Sequence, residues 1–204
     1  MLSIKDLSIE TRYPVLQHFS YQFEPNHFYQ IAAENGAGKT SFLRAITSLI
    51  PITSGKVLVD GKDYIKNKQK VFYFESSDWL DGNLSSLDYL KFVKAQWQSN
   101  ADLNKEMQFL GINEYSTLPV KKYSLGMKQK LIVTMYLVSG AKYFLMDEIT
   151  NGLDEESRLI LYNRLEKEVI EKKKCIILTS HYSSEINVKN LHRLVFQNKL
   201  MHEV

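Results

Sequence analysis

Residues 32–43, AAENGAGKTSFL, combine two glycines, a lysine and two hydroxyl side chains between an apolar stretch and a helix-like one. Gly36 and Gly38 allow the backbone to curl so that successive N–H groups face one anion. The helix that follows directs its positive end to the same point. Lys39 is then placed to reach the β- and γ-phosphates of a nucleotide, and the Thr40 hydroxyl to bind Mg²⁺. These residues predict a phosphate-binding loop.

One position of this loop departs from the usual pattern. A phosphate loop begins with glycine, and this chain has Ala33 there. Because alanine removes no N–H donor, we expect the loop to keep its function. The alternative is an ordinary glycine turn before an amphipathic helix. The predicted nucleotide contacts are Asn35, Gly36, Ala37, Gly38, Lys39, Thr40 and Ser41.

Two acidic residues end a second apolar stretch, YFLMDE at 143–148. A buried strand seldom ends in two acids without a function, because burying an unpaired charge is expensive. We expect Asp147 to hold Mg²⁺, directly or through water, and Glu148 to take a proton from the water that attacks the γ-phosphate. His181 follows the apolar stretch CIILTS and is expected at the same carboxyl edge of the sheet. The alternatives are a polar strand end and an ordinary histidine.

The alternation of strand-like and helix-like stretches supplies the scaffold for these side chains. Strand-like pieces dominate the first 76 residues, the pattern is helical at about 77–140, and strands and helices then alternate again. This order indicates an α/β fold with a mainly parallel sheet. We predict one domain over 1–204, with a core at about 1–76 and 136–204 and a helical lobe inserted at about 77–135.

The composition excludes several classes of protein. The chain has 204 residues, of which 44% are hydrophobic and 24% charged, as in an ordinary globular domain. The net charge of +3 and the lack of a Lys/Arg stripe argue against a nucleic-acid partner. EKKKC at 171–175 is interpreted as a solvated helix end. Cys175 is the only cysteine, which excludes an intrachain disulfide, and we expect it to be buried.

The sequence also predicts a cytoplasmic protein that does not itself cross a membrane. The N-terminus lacks the basic and apolar pattern of a signal peptide. The longest nearly apolar run, 131–141, is much shorter than the roughly 20 residues that a helix needs to span a bilayer. If the protein works on a membrane, another chain must supply the spans.

In order, the motifs resemble those of the ATP-binding cassette (ABC) family over nearly the whole chain. ENGAGKT is similar to the Walker A loop and FLMDE to the Walker B strand. YSLGMKQKL at 123–131 resembles the signature segment, in the YSLGM variant common in drug- and peptide-exporter cassettes. NGLD at 151–154 resembles the D-loop, and TSH at 179–181 the switch histidine. Five motifs in the family's order make coincidence negligible.

This resemblance implies an ATPase with a P-loop NTPase core, an antiparallel β edge subdomain and an inserted helical subdomain. Lys39 would stabilise the phosphates, Glu148 would activate water, and His181 would sense or stabilise the γ-phosphate. ATP and Mg²⁺ are the expected ligands. Tyr13 fits the aromatic residue that stacks on adenine, although strand packing would also suit it.

The resemblance further implies that two cassettes pair head to tail. Each ATP then lies between one Walker A loop and the partner's signature segment. Ser124, Gly126 and Met127 would contact the γ-phosphate across the interface, and Asp154 of the D-loop is expected at the same nucleotide site.

Several positions depart from the family pattern. Ser76 stands where the Q-loop usually has glutamine, or glutamate in some branches, and it is too short to reach the metal. Glu75, next to it, would substitute only if the loop shifts. This departure puts metal ligation there, and coupling to a membrane partner, in doubt. Leu125, Ile149 and Glu155 also differ from common residues at their positions, and these changes look tolerable.

The predicted function is the ATP-hydrolysing energy-coupling subunit of a membrane transporter, with export of a drug, peptide or similar amphiphile favoured by the YSLGM variant. The expected partners are a second nucleotide-binding subunit, identical or different, and a multi-span membrane subunit, so that the protein lies peripherally on the inner face of the cell membrane. Trp79 and Trp97 are candidates for docking, with lobe packing as the alternative. Two other functions stay open. The chain could be a soluble ABC-type ATPase that acts on nucleic acid or the ribosome, or a regulatory nucleotide-binding module with low turnover.

Overall fold

A computed structural model of the chain describes residues 1–181 and 186–204, in which ten strands form two sheets. The strands are β1 (Leu2–Glu10), β2 (Pro14–Phe23), β3 (His27–Ala32), β4 (Ser54–Val59), β5 (Lys62–Asp63), β6 (Val71–Tyr73), β7 (Tyr143–Asp147), β8 (Cys175–Ser180), β9 (Leu191–Gln197) and β10 (Leu200–Glu203). The α-helices are α1 (Lys39–Ile46), α2 (Tyr64–Asn67), α3 (Ser86–Gln96), α4 (Leu103–Phe109), α5 (Leu125–Ser139) and α6 (Glu155–Ile170).

The central sheet has six strands in the order β10-β9-β3-β8-β7-β6. Strands β9, β3, β8, β7 and β6 pair in parallel, and β10 adds to β9 as an antiparallel hairpin. Because helices or the second sheet cover both faces, the central strands are continuous apolar runs, and every residue of β8 is buried. The mainly parallel α/β core predicted from the sequence is confirmed.

Alternate residues of this sheet face two separate hydrophobic cores. Phe144 and Met146 of β7 belong to a core shared with α3, α5 and α6. Tyr143 and Leu145 belong to a core shared with α1 and with a second sheet of order β2-β1-β4-β5, which is antiparallel throughout. The second sheet is the antiparallel β edge predicted above. It covers the helix that begins at the phosphate loop.

The helices between β6 and β7 begin and end at the residues that their sequences predict. Ser85 caps α3 through a capping box with Asp88. Gly111 adopts a left-handed φ of 70° after α4. Ser124 caps α5 by accepting a hydrogen bond from Met127, and the left-handed Gly140 ends it.

The predicted boundary between lobe and core, at 135/136, falls inside α5. This helix begins near the loops at the carboxyl edge of the sheet and ends fully buried, with residues 131–139 all in the interior. Lobe and core therefore share one continuous helix, and an independent helical lobe remains a prediction. None of the helices in the described part of the chain is long and apolar enough to cross a bilayer.

The interpretation of residues 171–175 as a solvated helix end is wrong for one residue. Lys172 and Lys173 are exposed, but Lys174 is only 5% exposed. Its Nζ donates a hydrogen bond to Ala141 O at 2.9 Å, because the chain turns inward there to enter β8. Cys175, next to it, is buried as predicted.

Candidate functional site

The predicted site residues meet at the carboxyl edge of the central sheet. The glycine loop follows β3, Asp147 and Glu148 end β7, and His181 follows β8. Since β3, β8 and β7 are adjacent and parallel, their carboxyl ends lie side by side. The loops at the ends of β3 and β7 border a pocket of about 540 Å³, whereas His181 is not among the residues that line it. Of the seven predicted loop residues, all except Ala37 line this pocket, together with Asp147 and Glu148.

The glycine loop has the backbone curl that the sequence predicts. Gly36 and Gly38 adopt φ values of 79° and 109°, which side-chain-bearing residues rarely adopt. At Gly38 space is limiting as well, because a Cβ atom would lie 2.3 Å from Cγ1 of Val15. The loop therefore requires glycine at position 38 for two reasons. Its backbone N–H groups and the start of α1 face the pocket, which suits an anion.

Lys39 is held at the floor of the pocket and is only 6% exposed. Its Nζ donates to Ala33 O and Glu34 O, both at 3.1 Å, and lies 3.0 Å from Oε1 of Glu148. The loop carbonyls thus fix the ammonium group, and its one carboxylate contact points across the pocket. An anion that enters the pocket meets a preoriented cation.

Asp147 accepts hydrogen bonds from two hydroxyl groups, Thr40 Oγ1 and Thr179 Oγ1, both at 2.5 Å. Burial raises the pKa of Asp147 above its usual value, the two hydroxyls counteract this in part, and the nearby carboxylates of Glu148 and Glu75 add to it. No residue of 1–181 or 186–204 forms an ion pair with Asp147. Its carboxylate, together with Thr40 Oγ1, is an oxygen-only donor pair of the kind that hard divalent cations bind.

Thr179 is a further residue of the site, one that the motifs do not predict. This residue is fully buried. Its hydroxyl donates to Asp147 and accepts from the backbone N–H of Glu148 at 3.1 Å, so it fixes both acids. Thr179 faces Asp147 because the two residues are register partners in the parallel pairing of β7 and β8. The TSH motif includes Thr179, but the contact of this residue with Asp147 depends on the register of β7 and β8, which is a tertiary property.

Glu148 has an unusual backbone for a non-glycine residue, with φ at 46°. Such a conformation costs on the order of 1 kcal/mol and persists where the surroundings enforce it. Its Oε1 contacts Lys39, and its Oε2 accepts from Asn151 Nδ2 at 2.8 Å. His181 Nε2 lies 3.9 Å from Oε2 of Glu148. The predicted base, the phosphate lysine and the predicted histidine are therefore clustered.

The remaining predicted residues lie outside the pocket of this chain. Ser124 and Met127 form the cap of α5, and Asp154 caps α6 by accepting from the Ser157 N–H at 2.7 Å. Gly126 lies against Gly152, where a Cβ atom would be 3.2 Å from the carbonyl oxygen. A role at a partner's nucleotide stays a prediction for all four.

Tyr13 is 67% exposed in the bend between β1 and β2. The Arg12 guanidinium lies 5.7 Å from its ring centroid. Val15, two residues further on, lies against the glycine loop, so the tyrosine directly precedes the strand that flanks this loop. Strand packing does not bury Tyr13, and adenine stacking stays a prediction.

Comparisons with known proteins agree with this geometry. The sequence profile of the family described as ABC transporter matches residues 16–151. An uncharacterized ABC transporter ATP-binding protein of Bacillus subtilis, YybJ, is 31% identical over 183 residues, which is 84% of this chain and 81% of that protein. The lantibiotic transport ATP-binding protein SrtF of Streptococcus pyogenes is 28% identical and covers 93% of this chain and 83% of its own length.

A bacitracin transport protein and two solved structures extend the comparison. The bacitracin transport ATP-binding protein BcrA of Bacillus licheniformis is 28% identical over 93% of this chain and 64% of its own length. A solved ATP-binding subunit of an ABC transporter superimposes with a TM-score of 0.85 at 19% identity, over 100% of this chain and 90% of that one. A putative ABC transporter ATP-binding protein of Pyrococcus furiosus gives 0.81 at 23% identity, over 96% of both chains. At these identities the two structures show the shared fold.

Proposed function

Because this chain belongs to the ABC transporter family, whose ATP-binding subunits are ATPases, we propose that it is the energy-coupling subunit of an exporter for a peptide, drug or similar amphiphile. The names of SrtF and BcrA, which refer to lantibiotic and bacitracin transport, support this class of cargo. The observation that carries the proposal is the cluster of Lys39, Asp147 and Glu148 around one pocket at the phosphate loop.

The proposed reaction is attack of water on the γ-phosphorus of ATP, with release of ADP and phosphate. Catalysis in such a site rests on positioning and charge stabilisation. Lys39 bonds to phosphate oxygens in place of Glu148, which leaves the Glu148 carboxylate to orient water and take its proton. Asn151 holds that carboxylate from the other side. We assign His181, whose Nε2 lies 3.9 Å from Oε2 of Glu148, to sensing or stabilising the γ-phosphate.

We assign Mg²⁺ binding to Thr40 and Asp147. When bound, this ion neutralises phosphate charge. Mg²⁺ typically uses one or two carboxylates plus substrate phosphates and waters instead of a cage of protein ligands. The site fits this pattern, because the described residues include no group of three His, Cys, Asp or Glu side chains that would hold a metal by themselves. The raised pKa of Asp147 also indicates a carboxylate that lacks a cation.

ABC ATP-binding subunits work as dimers with membrane subunits, and we propose this assembly here. Ser124, Gly126, Met127 and Asp154, which lie outside the pocket of their own chain, would complete the partner's site.

For the membrane subunit, Trp79 is a better docking candidate than Trp97. Trp79 is 44% exposed. The indole of Trp97 donates to Val71 O at 3.2 Å, and its ring packs 4.8 Å from that of Phe72. Trp97 therefore fits the lobe-packing alternative. With such a partner, the chain would lie on the inner face of the cell membrane.

The test of the ATPase site is Glu148→Gln. The amide keeps the shape but cannot take a proton, so we expect phosphate release to fall by about 10³-fold while ATP binding persists and an ATP-dependent dimer accumulates. Phosphate release, nucleotide titration and size-exclusion chromatography measure these outcomes. Glu114→Gln, at an exposed position of the lobe, is the matched control. Near-normal turnover of Glu148→Gln would contradict the assignment.

The test of the transporter role is a tagged pull-down from mildly solubilised membranes. A stoichiometric multi-span protein is expected. A chain recovered only with ribosomes or nucleic acid would favour the soluble ATPase instead, and binding without turnover would favour a regulatory module.

A further inference from the structure

The wall of the nucleotide pocket includes a carboxylate that the motifs do not predict. At the Q-loop position, Ser76 uses its hydroxyl to accept from the Asp78 N–H at 3.1 Å, which caps the short turn Ser77–Trp79. The preceding residue, Glu75, lines the same pocket as Lys39 and Asp147. Glu75, next to the Q-loop position, therefore places a long polar side chain at the wall of this pocket.

Arg44 holds Glu75 by a two-point contact. The guanidinium Nε donates to Oε2 of Glu75 at 2.5 Å, and Nη2 donates to Oε1. The Tyr73 hydroxyl donates to Oε2 at 3.0 Å. This arrangement leaves the side chain of Glu75 only 11% exposed, whereas that of Arg44 is 42% exposed. A bidentate arginine–carboxylate contact is both stronger and more directional than a single ion pair.

The position of this pair connects two parts of the molecule. Arg44 is on α1, the helix that starts with Lys39 and Thr40. Glu75 stands at the start of the segment that leads into the helical lobe, where Trp79 packs 5.7 Å from the ring of Phe74. The pair thus ties the lobe segment to the phosphate-binding helix.

The negative charges around the pocket explain why the charge of Glu75 must be neutralised by Arg44. Three carboxylates, those of Glu75, Asp147 and Glu148, border a pocket proposed to bind a polyanion. A carboxylate next to phosphate oxygens repels them strongly where little water screens the charges. Arg44 cancels this charge.

We propose that Arg44 and Glu75 form a charge-balanced element of the nucleotide site, in which Glu75 faces the bound triphosphate and Arg44 is a positioning residue that neutralises Glu75 and fixes it to α1. This inference rests on the proposed ATP site. The proposed Arg44–Glu75 element differs from a purely structural salt bridge in one measurable respect: substitutions of its two residues change ATP affinity in opposite directions.

The two partners have opposite expected effects on ATP binding. Arg44→Gln leaves Glu75 uncompensated beside the phosphates, so the Kd for ATP rises about tenfold, which corresponds to about 1.4 kcal/mol. Glu75→Gln leaves a free guanidinium there, so the Kd for ATP falls or stays within twofold. The double variant Arg44→Gln/Glu75→Gln returns to within twofold of the parent. Because ADP lacks the γ-phosphate, its Kd changes less in every case.

The experiment is an equilibrium titration with MgATP and MgADP in the Glu148→Gln background, where turnover does not interfere. Thermal unfolding of each variant checks folding, and Arg44→Lys, which keeps the charge but loses the two-point contact, is expected to fall between parent and Arg44→Gln. Lys172→Gln, which changes a half-exposed lysine paired with Glu168 outside this pocket, is the control and leaves both Kd values unchanged.

The outcomes separate this proposal from the proposed function. If the parent does not bind ATP, the proposed ATPase function fails. If the parent binds ATP but Arg44→Gln and Glu75→Gln shift the Kd in the same direction, or neither shifts it more than twofold, the Arg44–Glu75 pair is an ordinary structural salt bridge and the inference is wrong.

Discussion

Asp147 and Glu168 are carboxylates withdrawn from water, Asp147 in part and Glu168 almost completely, yet their pKa values move in opposite directions. Burial raises the pKa of Asp147, and the two threonine hydroxyls only partly offset it. Burial acts on Glu168 in the same sense, but the hydrogen bond from Lys172, the charge of Lys174 and the contact with Arg164 outweigh it and lower the pKa. The difference lies in the partners, hydroxyls in one case and cations in the other.

The two regions illustrate how a structural charge cluster differs from a functional one. Glu168 has ion pairs to Arg164 at 2.9 Å, Lys172 at 2.7 Å and Lys174 at 3.5 Å, and Arg164 also holds Glu106 of α4. This cluster supplies three cations to Glu168 and joins α6 to α4. Asp147 has no such cation among the described residues, so its charge is matched only when something binds. A buried acid without a cation indicates a binding site better than burial alone does.

The largest expected effect on stability comes from the charge cluster around Glu168. Arg164→Met leaves two largely buried carboxylates, Glu106 and Glu168, without their shared cation. Breaking such a cluster costs about 3 kcal/mol of unfolding free energy. Urea unfolding measures this loss, and kcat per folded molecule is expected to stay near that of the unmodified protein. Lys105→Met, at an exposed position of α4 beside Glu106, is the control and should cost less than about 0.5 kcal/mol. Equal losses for the two variants would show that Glu168 does not depend on its buried partner.

A second effect, of about 2 kcal/mol, is expected from Lys174 as the pH rises. Burial lowers the pKa of Lys174 to about 8, against an unfolded value near 10.4. Between these values the unfolded chain binds more protons than the folded chain, so stability rises with pH, by up to about 1.4 kcal/mol per unit. Relative to Lys174→Met, the unmodified protein should therefore gain about 2 kcal/mol between pH 8 and pH 10. Tyrosine ionisation contributes to both proteins and cancels in this difference. A difference between the two proteins that does not change with pH would contradict the lowered pKa.

The comparison also shows which parts of the site can be predicted from sequence. The phosphate loop is a local motif, because Gly36, Gly38 and Lys39 act through the conformation of one short segment. The ends of β7 and β8 follow from the rule that parallel strands share a carboxyl edge. The mainly parallel sheet follows from the alternation of strands and helices, its antiparallel edge is implied by the family resemblance, and the prediction of each is confirmed.

The contacts that the sequence did not predict depend on register and packing. Thr179 serves the site because it pairs with Asp147, and a shift of one residue would face it to the other core. Arg44 meets Glu75, 31 positions away in sequence, because α1 packs against β7, the neighbour of β6. Lys174 is buried because the chain turns into β8. None of these contacts leaves a pattern in a single segment.

The same amide substitution at the two carboxylates tests the comparison most directly, although the expected effect at Asp147 is the smallest. Asp147→Asn keeps the shape and can still bond to the Thr40 and Thr179 hydroxyls, and it removes a buried charge that lacks a cation. In buffer with a chelator we expect it to raise the unfolding free energy by about 1 kcal/mol. Glu168→Gln is expected to lower it, because three cations lose their carboxylate.

Adding MgATP should make the unmodified protein more stable than Asp147→Asn, which reverses their order in chelator. The order of the unmodified protein and Glu168→Gln should not change. Binding to the folded state stabilises the unmodified protein in proportion to ln(1 + [L]/Kd), and Asp147→Asn should lose most of that gain because the oxygen donors are incomplete. Glu168→Gln should keep its full gain, since its cluster is remote from the nucleotide. If Asp147→Asn destabilises the protein in chelator as Glu168→Gln does, the Asp147 charge is already compensated within the chain. In that case Asp147 does not require a cation from outside the chain, whatever the variant does to turnover.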